Sequence, residues 1–335
     1  MRTGRGLGLA IAITLAAAGG CRPSSERRAG PPPNVLGGKA ALDDVRRQPH
    51  LLFVSTRAGD AFGKVGAVPL SQPDRAPAET DLACTRVHYA SGRGLCLVDA
   101  RGQKDPPLVA VALGRDLEPT GRFVLDGPPS RVRMSANGRV GALTVFVVGE
   151  SYACDFATKT LLVDPATARV RDDLSDFAIL RGRQRLAAHD PHYWGVTFAR
   201  DDGRFFATLR MDGHTYLVAG DRAARTVTIL REDVECPSLS PDGRHAAFKK
   251  ATGAKGQWRL HVLDVETLAD RPVAGETKNI DDQPEWLDDD HVVYGYVAAA
   301  GLPHVAANIW VAAIRGAEPS RILVRSAVSP VVVRP

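Results

Sequence analysis

Two small or acidic residues, a glycine and an arginine recur along this chain between apolar runs. The copies are Ala90-Ser91-Gly92-Arg93, Ala136-Asn137-Gly138-Arg139, Asp201-Asp202-Gly203-Arg204 and Pro241-Asp242-Gly243-Arg244, with a degenerate fifth at Asp288-Asp289-Asp290-His291. Glycine reaches positive φ without a Cβ clash, and Asp or Asn before it can bond its own backbone, so each phrase closes a tight turn between two strands. The turn glycines stand at 92, 138, 203 and 243, steps of 46, 65 and 40 residues. A turn of this chemistry repeated at a blade-sized interval predicts an all-β propeller, whereas a β-sandwich has no need of the same turn in every unit.

From His50 onward, short runs rich in valine, leucine and phenylalanine alternate with Gly, Pro, Asp and Asn, and no long helical period intervenes. Each repeat reads as four antiparallel strands. Around Gly138, for example, these are Arg131 to Met134, Val140 to Val148, Thr160 to Asp164 and Ala168 to Leu174. Gly92, Gly138, Gly203, Gly243 and Asp290 mark blades two to six. The ends supply the remaining blade. His50 to Ser55 and Lys64 to Leu70 lack a preceding strand, and Ser326 to Val333 lacks followers. Joined, they make blade one, close a six-bladed ring and leave no open sheet edge.

The phrase Ser240-Pro241-Asp242-Gly243-Arg244, then Ala246-Ala247-Phe248 and Leu260-His261-Val262-Leu263-Asp264, resembles the repeat of the six-bladed TolB propeller family. The stretches Leu52-Phe53-Val54-Ser55-Thr56-Arg57, Gly195-Val196-Thr197-Phe198-Ala199-Arg200 and Glu285-Trp286-Leu287-Asp288-Asp289-Asp290 are similar to exported actinobacterial proteins labelled TolB-like translocation proteins. The resemblance covers about residues 50–335 and implies a binding propeller. TolB carries an α/β domain ahead of its propeller, whereas residues 21–49 stand in that place here.

Arg2 and Arg5, the apolar run Leu7 to Ala18 and then Gly19-Gly20-Cys21 form the pattern of an export signal over residues 1–20. The run is too short to span a bilayer. Cys21 after Ala18-Gly19-Gly20 resembles a lipobox, so Cys21 is the expected lipid anchor, and simple secretion is the competing account. Residues 21–49, rich in Arg, Pro, Ser and Gly, read as a flexible tether to the 50–335 propeller. The expected location is extracytoplasmic, on the outer face of the cell membrane, or periplasmic where an outer membrane exists.

Export permits disulfides among Cys84, Cys96, Cys154 and Cys236, in three possible pairings. A hairpin centred on Gly92 puts Cys84 and Cys96 out of register, which argues against that pair. Lysine plus arginine total 43 against 38 acids, a net charge of +5. The excess is small and its members are scattered singly, so no nucleic-acid partner is expected.

The long step between Gly138 and Gly203 marks an insertion in two parts, residues 149–156 and 176–194. Inserted loops on a rigid ring are where such folds place recognition. The candidate interaction surface is therefore Glu150, Tyr152, Asp155, His189, Asp190, His192, Tyr193 and Trp194, joined by Asp281 and Asp282 at the channel mouth. His189 and His192, with Asp190 or Asp155, have the chemistry of a metal site. The competing account is an Asp-Pro turn whose aromatics pack between blades. The two acidic clusters, Asp281-Asp282 and Asp288-Asp289-Asp290, suit calcium or, more plainly, turn chemistry and solvation. Gly149-Glu150-Ser151-Tyr152-Ala153 falls one glycine short of a nucleophile elbow, and no hydrolase pattern surrounds it. The arginine after each turn glycine reads as a structural or solvated residue rather than a binding ring.

The sequence thus predicts a membrane-tethered, monomeric binding or scaffold module for a protein, peptide or envelope component, without catalysis or a cofactor. The alternative is a metal-dependent hydrolase or lactonase at the channel mouth.

Overall fold

The computed structural model describes residues 38–98, 108–125, 127–298 and 307–335. The signal segment and Cys21 lie outside the described residues. Six sheets follow one another along the chain. Blade one begins with β1 (His50–Ser55), β2 (Lys64–Pro69) and β3 (Ala78–Ala83). Blade two is β4 (Arg86–Ala90), β5 (Arg93–Leu97), β6 (Leu108–Leu113) and β7 (Pro119–Val124), and blade three is β8 (Pro129–Met134), β9 (Gly141–Val148), β10 (Ala157–Asp164) and β11 (Arg169–Asp173). A hairpin of β12 (Ala178–Arg181) and β13 (Gln184–Leu186) precedes the four main strands of blade four, β14 (His192–Phe198), β15 (Arg204–Met211), β16 (His214–Asp221) and β17 (Thr226–Glu232). Blade five is β18 (Glu235–Leu239), β19 (His245–Ala251), β20 (Trp258–Asp264) and β21 (Asp270–Pro272). Blade six is β22 (Glu285–Trp286), β23 (His291–Val297), β24 (Ala307–Ala313) and β25 (Arg321–Val324).

The last strand, β26 (Ala327–Val333), returns to blade one and pairs antiparallel with β1, His50 opposite Val333 and Ser55 opposite Ala327. The predicted closure is therefore the observed one.

The strands read as continuous apolar runs because both faces of each blade are buried between neighbours. Side-chain alternation then divides every strand between two cores. In β1, Leu52 and Val54 pack toward blade two, whereas Leu51 and Phe53 pack toward blade six. In β5, Leu95 and Leu97 join the core shared with blade three, and Cys96 joins the one shared with blade one.

The repeated turns also touch one another. Ser91 Oγ donates to Ala136 O at 2.7 Å, Asn137 Nδ2 to Asp202 Oδ2 at 2.6 Å, and Arg200 Nη2 to Pro241 O at 2.7 Å. Gly138 (φ 69°) shows why glycine is required in this chain of contacts, since a Cβ there would lie 2.7 Å from Ala90 O. Blade four departs from the expected chemistry. Asp202 (φ 48°), not Gly203, takes the left-handed conformation, and Asp201 Oδ1 accepts from Arg204 N at 3.2 Å. A short polar side chain tolerates that region, so the turn closes one residue earlier.

Three further expectations are corrected. The segment 38–49 is not free tether: the helix α1 (Gly38–Arg46) packs Leu42 and Val45 into the core between blades one and two, and Arg46 reaches Asp116 at 3.0 Å. Cys84 and Cys96 are bridged, with Cα atoms 5.5 Å apart. Across the hairpin Cys96 does face Val87, but Cys84 sits before β4, where the chain turns and Thr85 N bonds Leu97 O, bringing Cys84 beside Cys96. Cys236 is a buried free thiol and takes part in no pairing.

The insertion in blade four also has an unexpected form. The β12–β13 hairpin adds to the outer edge of the blade, β12 lying parallel to β17 with Ile179 opposite Val227, which makes a six-stranded sheet. Phe177 and Ile179 are buried in the core between blades three and four.

Candidate binding site

An antiparallel four-stranded blade puts its first and third hairpins at one end and its second hairpin at the other. The Gly-Arg turns thus define one face of the ring. Residues 149–156, which link β9 to β10, and 187–191, which lead into β14, belong to the opposite face.

On that opposite face the two inserted parts meet through aromatic rings. Tyr152 and Phe156 lie 5.3 and 5.2 Å from Trp194, and Phe146 lies 5.0 Å from Tyr152. Tyr152, Tyr193 and Trp194 are 5%, 2% and 0% exposed. These three residues, expected at an interaction surface, are core instead. The close strand approach behind them depends on Gly195 (φ 61°), where a Cβ would stand 2.5 Å from Cys236 Cα. Around this core Glu150, Asp155, His189 and Asp190 are exposed. Val147 and Val148 beside them are 50% and 58% exposed.

The metal candidates are not gathered into a site. His192 Nε2 lies 3.1 Å from Asp190 Oδ2, but Asp155 pairs with Lys255 at 3.0 Å. Among the described residues no group of three or more His, Cys, Asp or Glu side chains is arranged to hold a metal ion.

The channel is filled by charge. The segment 281–285, ahead of and entering β22, reaches across the ring. Asp281 Oδ1 accepts from Lys249 Nζ at 2.5 Å and from Arg131 at 3.3 Å, and Asp282 accepts from Arg86 at 2.8 Å and from Gly295 N at 2.8 Å. Asp282 is buried by these partners rather than presented at the mouth, while Asp281 keeps about a third of its side chain exposed. Arg133, from blade three, bonds Glu285, donates to Pro284 O at 3.0 Å and Ser238 Oγ at 3.2 Å, and meets His88 at 3.0 Å. Gln283 Nε2 donates to Val196 O and Pro237 O of blades four and five.

Lys249, wholly buried, stands 3.8 Å above the Trp258 ring and 4.7 Å from the Tyr152 ring, so cation–π attraction supplements its ion pairs. Beside this network lies a cavity of about 30 Å³ lined by Arg86, His88, Arg131 and Arg133, room for a water molecule. Burial pushes the Glu285 carboxyl up, but the adjacent Arg133 and His88 outweigh it and hold it below the usual range. Burial likewise opposes ionisation of Asp281, and Lys249 and Arg131 prevail. His88 is held below the ordinary histidine value by desolvation, and the Cys236 thiol is raised by burial.

Sequence reasoning found Asp281 and Asp282 but missed Arg86, His88, Arg131, Arg133, Lys249 and Glu285, and also Glu235, whose carboxylate lies 3.7 Å from Lys249 Nζ. One signal was present. Arg131 and Arg133 alternate with Val132 and Met134 in an inner strand, which turns two charges toward the channel.

Over 85% of its length the chain is similar to TolB from Acinetobacter baumannii, with a TM-score of 0.59 and 13% identity. The chain has the TolB type of propeller fold. It spans 66% of that TolB chain. A second likeness is to a putative TolB from Agrobacterium tumefaciens (TM-score 0.51, 13% identity), covering 84% of this chain and 90% of that one. A chain of a nidogen/laminin complex is similar at TM-score 0.53 and 12% identity, covering 85% and 98%. No family model and no curated protein matches the sequence. At these identities the likeness establishes the TolB-type fold, and such folds host unrelated functions.

Proposed function

We propose that this protein is a membrane-tethered, extracytoplasmic binding module, monomeric and without catalysis, that recognises a protein, peptide or envelope component. One observation carries the reading: the two inserted segments meet through a buried aromatic core, and next to it in sequence the chain exposes Val147, Val148, Glu150 and Asp155 from one side and His189 and Asp190 from the other. Exposed apolar side chains rimmed by polar ones suit protein recognition. The charge-filled channel behind them supplies a rigid support. Asp281, partly open, extends the surface toward the channel.

A photo-reactive amino acid placed at Val148 or His189 in the full-length protein tests this in intact cells. The expected result is one adduct from these positions and none from Val170 on the outer edge strand. Equal labelling from all three positions, or no adduct, overturns the reading. For the tether, Cys21→Ser is expected to release the protein from the membrane fraction, and continued retention counts against lipidation.

A further inference from the structure

We infer that the Gly-Arg turn face carries an anion site for a phosphate group, in the groove lined by blades two, three and four. The groove has a volume of about 430 Å³ and is lined by Arg93, Arg139, Arg171 and Arg222, with Asp164, Asp202, Val140 and Ala166. Four cations face two acids there, and both acids are already engaged. Asp164 Oδ1 accepts from Ala166 N at 2.9 Å and Thr167 N at 3.2 Å, and its Oδ2 is held by Arg171. Asp202 Oδ2 accepts from Asn137 Nδ2 at 2.6 Å.

Apart from Arg171, which is paired with Asp164, the arginines are less committed. The exposed side chains of Arg93 and Arg139 have no ion pair or hydrogen bond among the described residues. Arg222 spends one terminal nitrogen on Asp202 O at 3.1 Å and holds Asp172 only at 4.0 Å, while its Nε is buried with no partner. A buried donor without an acceptor is destabilising, so a ligand oxygen that satisfies it is favoured.

The surplus of two positive charges matches a phosphate monoester, and guanidinium forks bind its tetrahedral oxygens bidentately. The lining has only Val140 and Ala166 as apolar members, too little to seat the side chains of a peptide. The site is independent of the macromolecular partner proposed above, which belongs to the opposite face. The arginines come from different repeats: Arg93 and Arg139 each follow a turn glycine, and Arg171 and Arg222 lie at the third hairpins of blades three and four. The contact from Asn137 to Asp202 draws the turns of these two blades together.

The test is calorimetric titration of the full-length protein with inorganic phosphate, using sodium chloride at matched ionic strength as the reference. Binding to the wild type and at least a tenfold loss in Arg93→Gln/Arg139→Gln is expected, with the two proteins melting at the same temperature without phosphate. No phosphate binding in the millimolar range, or binding that the variant retains in full, overturns the proposal. Vesicles of phosphatidic acid, whose headgroup is a phosphate monoester, in phosphatidylcholine separate two sources of the group. Sedimentation of wild type but not variant with these vesicles, reversed by phosphate, identifies a lipid headgroup. Phosphate binding without sedimentation identifies a soluble phosphate ester.

Discussion

Arg133 in the channel and Arg139 on the turn face stand one short turn apart in sequence and in opposite circumstances. Arg133 is 7% exposed and meets Glu285, His88, Ser238 and Pro284, groups from three other blades. Arg139 lies in an open groove with no acid of its own. The channel balances Arg86, Arg131, Arg133 and Lys249 with Asp281, Asp282, Glu285 and Glu235. The groove leaves four arginines against two acids. A buried, balanced set of charges fixes how blades sit against one another, and an open, unbalanced set is free to take a ligand. Residue type does not separate scaffold from site here; pairing does.

The largest effect that probes this contrast is expected from Arg133→Ala. It strands Glu285 in the channel, and loss of one partner of a buried ion pair costs about 3–5 kcal/mol, readable as a lower urea midpoint. If Arg133→Ala and Arg139→Ala proved equally mild, the distinction between the regions would fail. Next comes Gly195→Ala, which adds a Cβ against Cys236 at a positive φ. The left-handed strain alone costs about 1–2 kcal/mol, and the clash adds to it. A loss below that range would show that the inner strands can move apart.

Acidification sharpens the comparison through sign. Glu285 and Asp281 have folded pKa values below their unfolded ones, so the stability they contribute is present above the ordinary carboxylate range and is lost as pH falls through the folded values. His88 is depressed too, so the unfolded chain takes up its proton first as pH drops below the ordinary histidine value, which again favours unfolding. The melting temperature is expected to decline from neutral pH into the acid range, and an Arg93→Gln/Arg139→Gln protein is expected to follow the same curve. A rise in melting temperature on acidification would contradict these directions. The smallest effect is that of the groove pair on stability, within about 0.5 kcal/mol at exposed positions. A larger loss would make these arginines structural.

Much of the architecture was legible in the chain. Turn chemistry is local, so Asn137-Gly138 and Asp242-Gly243 announce their hairpins, and the count of turns with the unmatched ends at 50–70 and 326–333 yields six blades and their closure. The candidate site was legible only in part. The long interval does locate inserted segments that meet in space, yet Tyr152, Tyr193 and Trp194, the residues that made it conspicuous, are its buried support. Aromatic density marks burial at least as readily as recognition. Cys84 and Cys96 were misjudged because strand register ignores the turn that precedes β4.

The sequence by itself determined the repeat, the strand order and the place where the repeat is interrupted, because each depends on neighbours within one hairpin. Only the tertiary structure decided which charges are spent. Arg133 and Glu285 are 152 residues apart and Arg131 and Asp281 are 150 apart, and no local pattern encodes such partners. Ring closure brings them into one channel, and it leaves Arg93 and Arg139 outside it with their charges unmatched.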